Sequence, residues 1–490
     1  MGFQVVDGGN SKRGVRQTGG HAVVLGGSLA GLLAARVLAD HFEMVTVVER
    51  DAYPSDAAVR KGVPQASHVH ALMRRGQQVI EGLFPGILGE LLADGAHLVD
   101  VAGEVAWLTP QGWGARFPSD LNIIGFTRPL LDLHVRRRLW PNARVRILEE
   151  TETLRLLPAA RGGGGVCGVL GRARRSGSTE KQLRADLVVD ATGRGSRAPR
   201  WLQELGYNAP EETVVSAFLG YASRLYRVPE GFASNWKGAY VQVAPPAHTR
   251  GGIMLPVEGG RWLVTLIGGG RDYPPADDEG FLEFARSLTS PVIYDAIKGA
   301  EPLTPVRSHR ATENRRRHYE RLGRQPDNFI VTGDAACAFN PVYGQGMTAA
   351  ALGARALDES LGEQRRRHPG GDLRGLARRF QKRLAKANAA PWLLATGEDF
   401  RYREVEGGSP DTATRFMHHY MDRVGRLSTR DEGVRRVMLE VMHMLKPPAS
   451  LFHPRVSLRV LGQSLGLNTR PERTISPAPT RESVRTLSST

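Results

Sequence analysis

Apolar positions recur with two different periods along this chain, and the places where the period changes divide it into parts. Residues 21–26, HAVVLG, form a short continuous apolar run, as a buried strand requires. Over 28–40 the spacing lengthens, with Leu29, Leu32, Leu33, Val37 and Leu38 on one helical face. Residues 45–49, VTVVE, return to a strand. Together they predict a β-α-β unit of about 30 residues. Further helices are expected around 77–83, 88–94 and 128–140, and strands at 144–148 and 187–190. From about 210 to 310 the texture changes to short strands joined by Gly-rich turns. The clearest hairpin there pairs 253–257 with 261–267 across Glu258-Gly259-Gly260. Residues 329–332 read as another buried strand, which breaks at Gly333-Asp334 and restarts as an Ala-rich helix after Gly344-Gln345-Gly346. From about 373 to 466 the pattern is helical again, and no repeat of solenoid period is present.

Length and composition fit this division. A chain of 490 residues has room for more than one domain. Its 41% apolar and 24% charged content are those of a soluble globular protein. No apolar run reaches the roughly 18 residues of a membrane span. The polar stretch 1–19 lacks the apolar core of a secretory signal and reads as a disordered leader, and 469–490 reads as a disordered tail. Cys167 and Cys337 are the only cysteines, too few for a disulfide framework or a cysteine-built zinc site, which fits a reducing cytoplasm. The net charge of +16 comes from arginines scattered through polar segments with few aromatics between them. That pattern points to solvated surface rather than to a nucleic-acid face.

The first βα turn reads Gly26-Gly27-Ser28-Leu29-Ala30-Gly31, a G-x-G-x-x-G fingerprint with serine at the middle glycine. Small residues there let backbone N–H groups approach a pyrophosphate at the positive end of the helix. An acid about 20 residues further on is expected at the ribose. Glu49 ends the second strand, and Arg50 follows it among the cofactor-binding candidates. The second glycine pair, Gly344 and Gly346, opens a helix whose N-terminus would stabilise negative charge on a flat anionic group.

The strand at 329–332, Gly333-Asp334 and Gly344-x-Gly346 resemble the second FAD fingerprint of flavoprotein monooxygenases of the aromatic-hydroxylase type. "ADLVVDATGRGSR" occupies the place of that superfamily's motif shared by FAD and the nicotinamide donor, with Thr192 where an acid usually precedes the glycine, here Gly193. With "HAVVLGGSLAGLLAARVLADH", "VTVVERDAYP", "RKGVPQASHVHAL", "TRPLLDLHVR" and "GDAACAFNPVYGQGM", the chain resembles bacterial FAD-dependent epoxidases of polyether-antibiotic biosynthesis, and more distantly squalene epoxidase, over about residues 20–400. The resemblance implies an α/β fold: a Rossmann-like FAD-binding domain (20–205 and 316–365), an inserted, mainly antiparallel β-sheet substrate domain (206–315) and a helical C-terminal region (366–468).

The resemblance also implies noncovalent FAD. Arg60, Lys61 and Gln65 would lie near it, Arg128 on its pyrophosphate or ribityl side, and Gly333-Asp334 at its sugar hydroxyls. Pro341, Tyr343, Gly344, Gln345, Gly346 and Met347 would line the ring. The implied partners are O2, an apolar polyene or polyketide and NADPH or NADH as electron source. No second G-x-G-x-x-G marks a dedicated nicotinamide domain, so electrons would come by transient contact or through a flavin reductase. The expected reaction is alkene epoxidation through a flavin C4a-hydroperoxide, which needs no catalytic acid–base pair, and none is evident in the sequence. Ring hydroxylation on the same scaffold, reduction of isoprenoid double bonds and flavin binding without turnover are the competing readings. No W-x-W-x-I-P segment points to a halogenase.

His68 and His70 are two residues apart with no third ligand nearby, so no metal is expected, and they read as hydrogen-bonded loop histidines near the flavin. Cys337 reads as a small buried thiol. Trp107, Trp113, Phe117, Phe126, Tyr221, Tyr240 and Trp262 are candidates for core or cavity.

Overall fold

Val23, Val24 and Leu25 of the strand Gly19–Leu25 are completely buried. Their sheet is covered on both faces, which is why the strand shows no alternation. A computed structural model describes residues 18–159, 165–174 and 179–464, so the expected tail and residues 1–17 of the expected leader lie outside the described residues. The sheet has five parallel strands in the order Phe329–Val331, Leu187–Asp190, Gly19–Leu25, Phe42–Val48, Val145–Leu148. Leu25 is level with Val48 on one side and Asp190 on the other, and Asp190 is level with Val331. The loops that follow these strands therefore leave the sheet at one edge. Ligands of open parallel sheets bind outside this carboxyl edge, where the strand order reverses.

The helix Leu29–Leu38 buries Leu29, Leu32, Leu33, Val37 and Leu38, the face its periodicity predicts. It packs on the long helix Gly346–Arg367, whose Ala349, Ala350, Ala351 and Ala354 allow close approach.

The second sheet has seven strands: Arg307–His309, Gly220–Arg227, Arg261–Gly268, Arg250–Val257, Gly238–Val241, Val105–Thr109 and Gly112–Trp113. Its residues alternate between two interiors, as the period of two demands. Ala239, Val241, Met254, Val264 and Leu266 pack with the helices Asp278–Arg286 and Val292–Ile297. Tyr240, Ile253, Leu255, Thr265 and Ile267 face a large cavity. The expected hairpin is present, and its turn places Gly259 at φ +75° and Gly260 at φ +63°, a conformation that glycine adopts at little cost.

The expected insert differs from the sheet in two respects. Val105–Thr109 comes from the preceding segment and pairs parallel to Gly238–Val241. Two helices also fall inside 206–315. A parallel pair is made by distant parts of the chain, so local alternation cannot announce it. The C-terminal region forms the helices Leu376–Asp399, Thr412–Ser428, Glu432–Met442 and Pro454–Ser464. Asp411 and Asp431 cap the second and third, accepting from the N–H groups of Thr414 and Val434 at 2.7 and 3.0 Å. Among the described residues, no helix is long and apolar enough to cross a membrane.

Candidate active site

Close approach dictates the first βα turn. Gly26 has φ +91°, and a Cβ there would come 2.6 Å from the Ala191 carbonyl oxygen. A Cβ on Gly31 would lie 1.8 Å from the Gly26 carbonyl oxygen. These two positions require glycine, whereas Ser28 has room for a side chain. Ser28 is the N-cap of Leu29–Leu38 but makes no side-chain cap, so the first N–H groups of that helix stay available. Its hydroxyl accepts instead from Arg128 Nη2 at 3.2 Å. Arg128 is buried and bonds Asp132 through Nε at 2.8 Å.

The end of the second strand folds back on the same turn. Glu49 is buried and accepts from the N–H groups of Gly27 at 2.7 Å and Asp51 at 2.9 Å. The Gly27 carbonyl accepts from the Tyr53 hydroxyl at 2.6 Å and from Arg60 Nη2 at 3.2 Å. Arg60 Nη1 lies 3.3 Å from Glu49 yet makes no hydrogen bond, although it is buried.

The fourth and fifth edge loops bring two acids. Asp190 is fully buried and accepts from the N–H of Thr192 at 2.9 Å and from the hydroxyls of Thr192 at 2.6 Å and Ser196 at 2.5 Å. Asp334 is half-buried, and burial raises its pKa against the opposing charges of Arg194 and Arg128. The loop after it holds Asn340 and Tyr343 against a residue the sequence did not single out, Asp399, at the end of Leu376–Asp399. Its carboxylate accepts from Asn314 Nδ2 at 2.6 Å, Asn340 Nδ2 at 3.2 Å and the Tyr343 hydroxyl at 2.7 Å. Burial raises the Asp399 pKa to about 7. The signal for it was an acid on the inward face of a helix, in line with Leu384, Pro391 and Ala395.

These loops open into one cavity of about 1070 Å³. Gly26, Ser28, Leu29, Ala30, Glu49, Arg50, Arg60, Gln65, Arg128, Asp334 and Pro341 line it, as do Tyr343, Gly344, Gln345, Gly346 and Met347. Three expected residues stand apart. Gly31 packs on Gly26, and Gly333 faces the Ala30 methyl at 2.7 Å from a would-be Cβ. Lys61 is exposed and not part of the lining, because its neighbours Arg60 and Val63 take the inward positions of the loop.

Beyond the loops the lining turns apolar. Val101, Val105, Trp107, Ile123, Ile253 and Leu255 form one wall, and Met421, Met438, Leu439 and Met442 of the C-terminal helices another. Of the remaining aromatic candidates, Tyr221 and Tyr240 face the cavity, while Trp113, Phe117, Phe126 and Trp262 pack into cores. His68 bonds Ser223 through Nδ1 at 2.7 Å, and His70 Nδ1 lies 2.8 Å from the His68 carbonyl. Burial is the main cause that lowers their pKa values to about 3 and about 4. Both rings are therefore neutral near pH 7. Cys337 is buried, which pushes its thiol well above the usual range.

No family model matches the chain. It is 35% identical over 394 residues to Protein Rv3254 of Mycobacterium tuberculosis, spanning 79% of this chain and 81% of that protein. The chain belongs to the family of Protein Rv3254. More distantly, this Rv3254 relative is 26% identical over 359 residues to kynurenine 3-monooxygenase of Salinispora arenicola, covering 69% and 72% of the two chains. Its fold matches the flavin-dependent brominase Bmp2 with a TM-score of 0.61 at 14% identity, covering 91% of this chain and 99% of that one. The fold of this Rv3254 family member is thus that of the FAD-dependent monooxygenases and halogenases.

The site of this Rv3254 relative fits FAD on its own chemistry. An uncapped helix N-terminus with a buried arginine beside it suits a pyrophosphate. Arg60 Nη1 and Gln345 Oε1 are buried polar atoms with no hydrogen-bond partner, on residues that line the cavity. Buried polar groups are seldom left unpaired, so these two atoms are suited to a ligand. Asp334→Ala is expected to weaken FAD binding by about 1–3 kcal/mol, the cost of stranding a buried donor. Fluorescence titration of apoprotein with FAD measures it, and an unchanged Kd would reject the role given to Asp334.

Proposed function

We propose that this protein is an FAD-dependent monooxygenase that epoxidises an alkene in a long, largely apolar natural-product intermediate. The observation that carries the reading is the continuity of the cavity. It runs from the polar loops at the sheet edge to walls of aliphatic, aromatic and methionine side chains. In this reading Gly26, Ser28 and Arg128 hold the pyrophosphate, with Glu49 and Asp334 at the sugar hydroxyls. Pro341 and Gly344 to Met347 adjoin the ring. Bound and reduced, the flavin supplies activated oxygen from O2, which is the part of the chemistry the cofactor carries.

The chain supplies orientation, dryness and restraint on protons. The apolar walls exclude water and place the double bond, an effect that rests on proximity rather than on acid–base groups. His68 and His70 are neutral near pH 7, so neither carries an imidazolium proton to deliver, and His70 spends its Nδ1–H on the His68 carbonyl. A site without an acidic proton at these positions protects an epoxide from acid-catalysed opening. The similarity to polyether epoxidases supports the same substrate class. One observation favours a second reading, hydroxylation of an aromatic or polyketide ring: the likeness to kynurenine 3-monooxygenase.

Electrons would come from NADPH or NADH, directly or through a flavin reductase. Thr192 turns both its N–H and its hydroxyl onto Asp190, so the position that carries an acid in the related motif is engaged internally. NADPH is therefore expected to show no saturable binding to the oxidised holoenzyme at micromolar concentrations. Tight binding by calorimetry would contradict this. The test of the class is consumption of NADH with a flavin reductase and candidate polyenes, with and without oxygen. Substrate-dependent O2 uptake is expected. Anaerobic reduction of the substrate would instead mark a double-bond reductase, and neither substrate-dependent O2 uptake nor substrate reduction a binding protein.

A further inference from the structure

We propose that Asp399 is the positioning residue of the loop that leads into the Gly346–Arg367 helix, fixing where that helix's N-terminus points in the cavity. The inference rests on the FAD reading and adds to it a residue outside every sequence fingerprint.

The argument is one of donors and acceptors. Asn340 Oδ1 accepts from the Tyr221 hydroxyl at 2.7 Å and from the Val342 N–H at 3.2 Å, so its amide nitrogen faces Asp399. Asn314 Oδ1 accepts from the Asn340 N–H at 2.7 Å, so its amide nitrogen also faces Asp399. The Tyr343 hydroxyl completes the set. Three donors converge on one fully buried carboxylate, and they come from a strand, from the loop and from the last residue before Gly344. Gly344 follows with φ +65°, and Gln345 is the N-cap of the Gly346–Arg367 helix. The carboxylate thus ties the two ends of the Asn340–Tyr343 segment to one point at the end of a 24-residue helix. Tyr343 and Tyr221 line the cavity, so any shift in this network is felt there.

The network is also sensitive to a proton. Burial holds the Asp399 carboxyl near pH 7, with the Glu398 charge adding to the shift and the three donors opposing it. The other groups facing it, Tyr343, Tyr402 and Tyr221, have pKa values raised by burial and by the Asp399 charge and stay neutral. Below pH 7 the carboxyl carries a proton and presents one acceptor fewer to its three donors. Above pH 7 all three are satisfied. Because the folded pKa lies above the ordinary 3.8, folding retains a proton that the unfolded chain releases, and stability falls as pH rises from about 4 to about 7.

The experiment is a pH titration of flavin absorbance from pH 5 to 9 on FAD-loaded wild type, Asp399→Asn and Tyr343→Phe, with FAD affinity measured alongside. The wild type is expected to show a one-proton step near pH 7. Asp399→Asn should fold and take up FAD, lose the step, and bind FAD about tenfold more weakly. Tyr343→Phe removes one donor from the anion, so its step should move to higher pH. A purely packing role would alter melting temperature without moving a proton step. If the wild type takes up no flavin, the cofactor reading and this proposal both fall. If it does and Asp399→Asn keeps the step and binds FAD within twofold of wild type, this proposal alone is overturned.

Discussion

Gly31→Val is expected to yield protein that either fails to accumulate in soluble form or is purified without flavin. A Cβ at Gly31 would stand 1.8 Å from the Gly26 carbonyl oxygen and 3.0 Å from its carbon. The obstacle is backbone rather than a mobile side chain, and two further methyl groups follow the Cβ. Overpacking of a core costs about 1–3 kcal/mol when side chains can adjust. Here the helix Leu29–Leu38 must move off the strand, so the upper end of that range is the expectation. Displacing the helix also removes its N–H groups from the pyrophosphate position. Gly31→Ala should show the same loss to a smaller degree. A soluble Gly31→Val protein with wild-type flavin content would contradict the assignment of this turn.

Arg128→Met should give the largest loss of FAD affinity short of unfolding. It removes the buried guanidinium beside Ser28 and strands the buried Asp132 carboxylate. Breaking a buried ion pair by removing one partner costs about 3–5 kcal/mol, most of it from the charge left behind. Two effects are thereby mixed, and the double variant Arg128→Met with Asp132→Asn separates them. The double variant is expected to regain most of the thermal stability, since the stranded charge is gone. It should not regain FAD affinity, which depends on the cation. Recovery of both would reduce Arg128 to a structural partner of Asp132.

The parts of this site that local pattern reveals are those built within one β-α turn. Gly26 and Glu49 directly follow two strands and Gly31 lies on the helix between them, elements whose periods are plain in the sequence, and the register that levels Leu25 with Val48 then brings them together. Asp334 was legible for a similar reason, as the acid in the turn that follows a buried strand. Asp399 was not, because it meets Asn340 from 59 positions away, and only the docking of the C-terminal helix brings the two together. The wall that contains Trp107 was equally hidden. Its strand joins the second sheet beside Gly238–Val241, more than 100 residues further along the chain. Ser28 shows the opposite case. Read against the fingerprint it is a departure, yet the side chain has space and supplies the partner for Arg128.

The most direct test of the account is mass analysis of products formed from candidate polyenes under heavy-isotope dioxygen (18O2), with FAD, NADPH and a flavin reductase. The account predicts an epoxide carrying one heavy oxygen atom for each alkene consumed. A labelled hydroxyl on an aromatic ring, or a product whose oxygen comes from water, would contradict it.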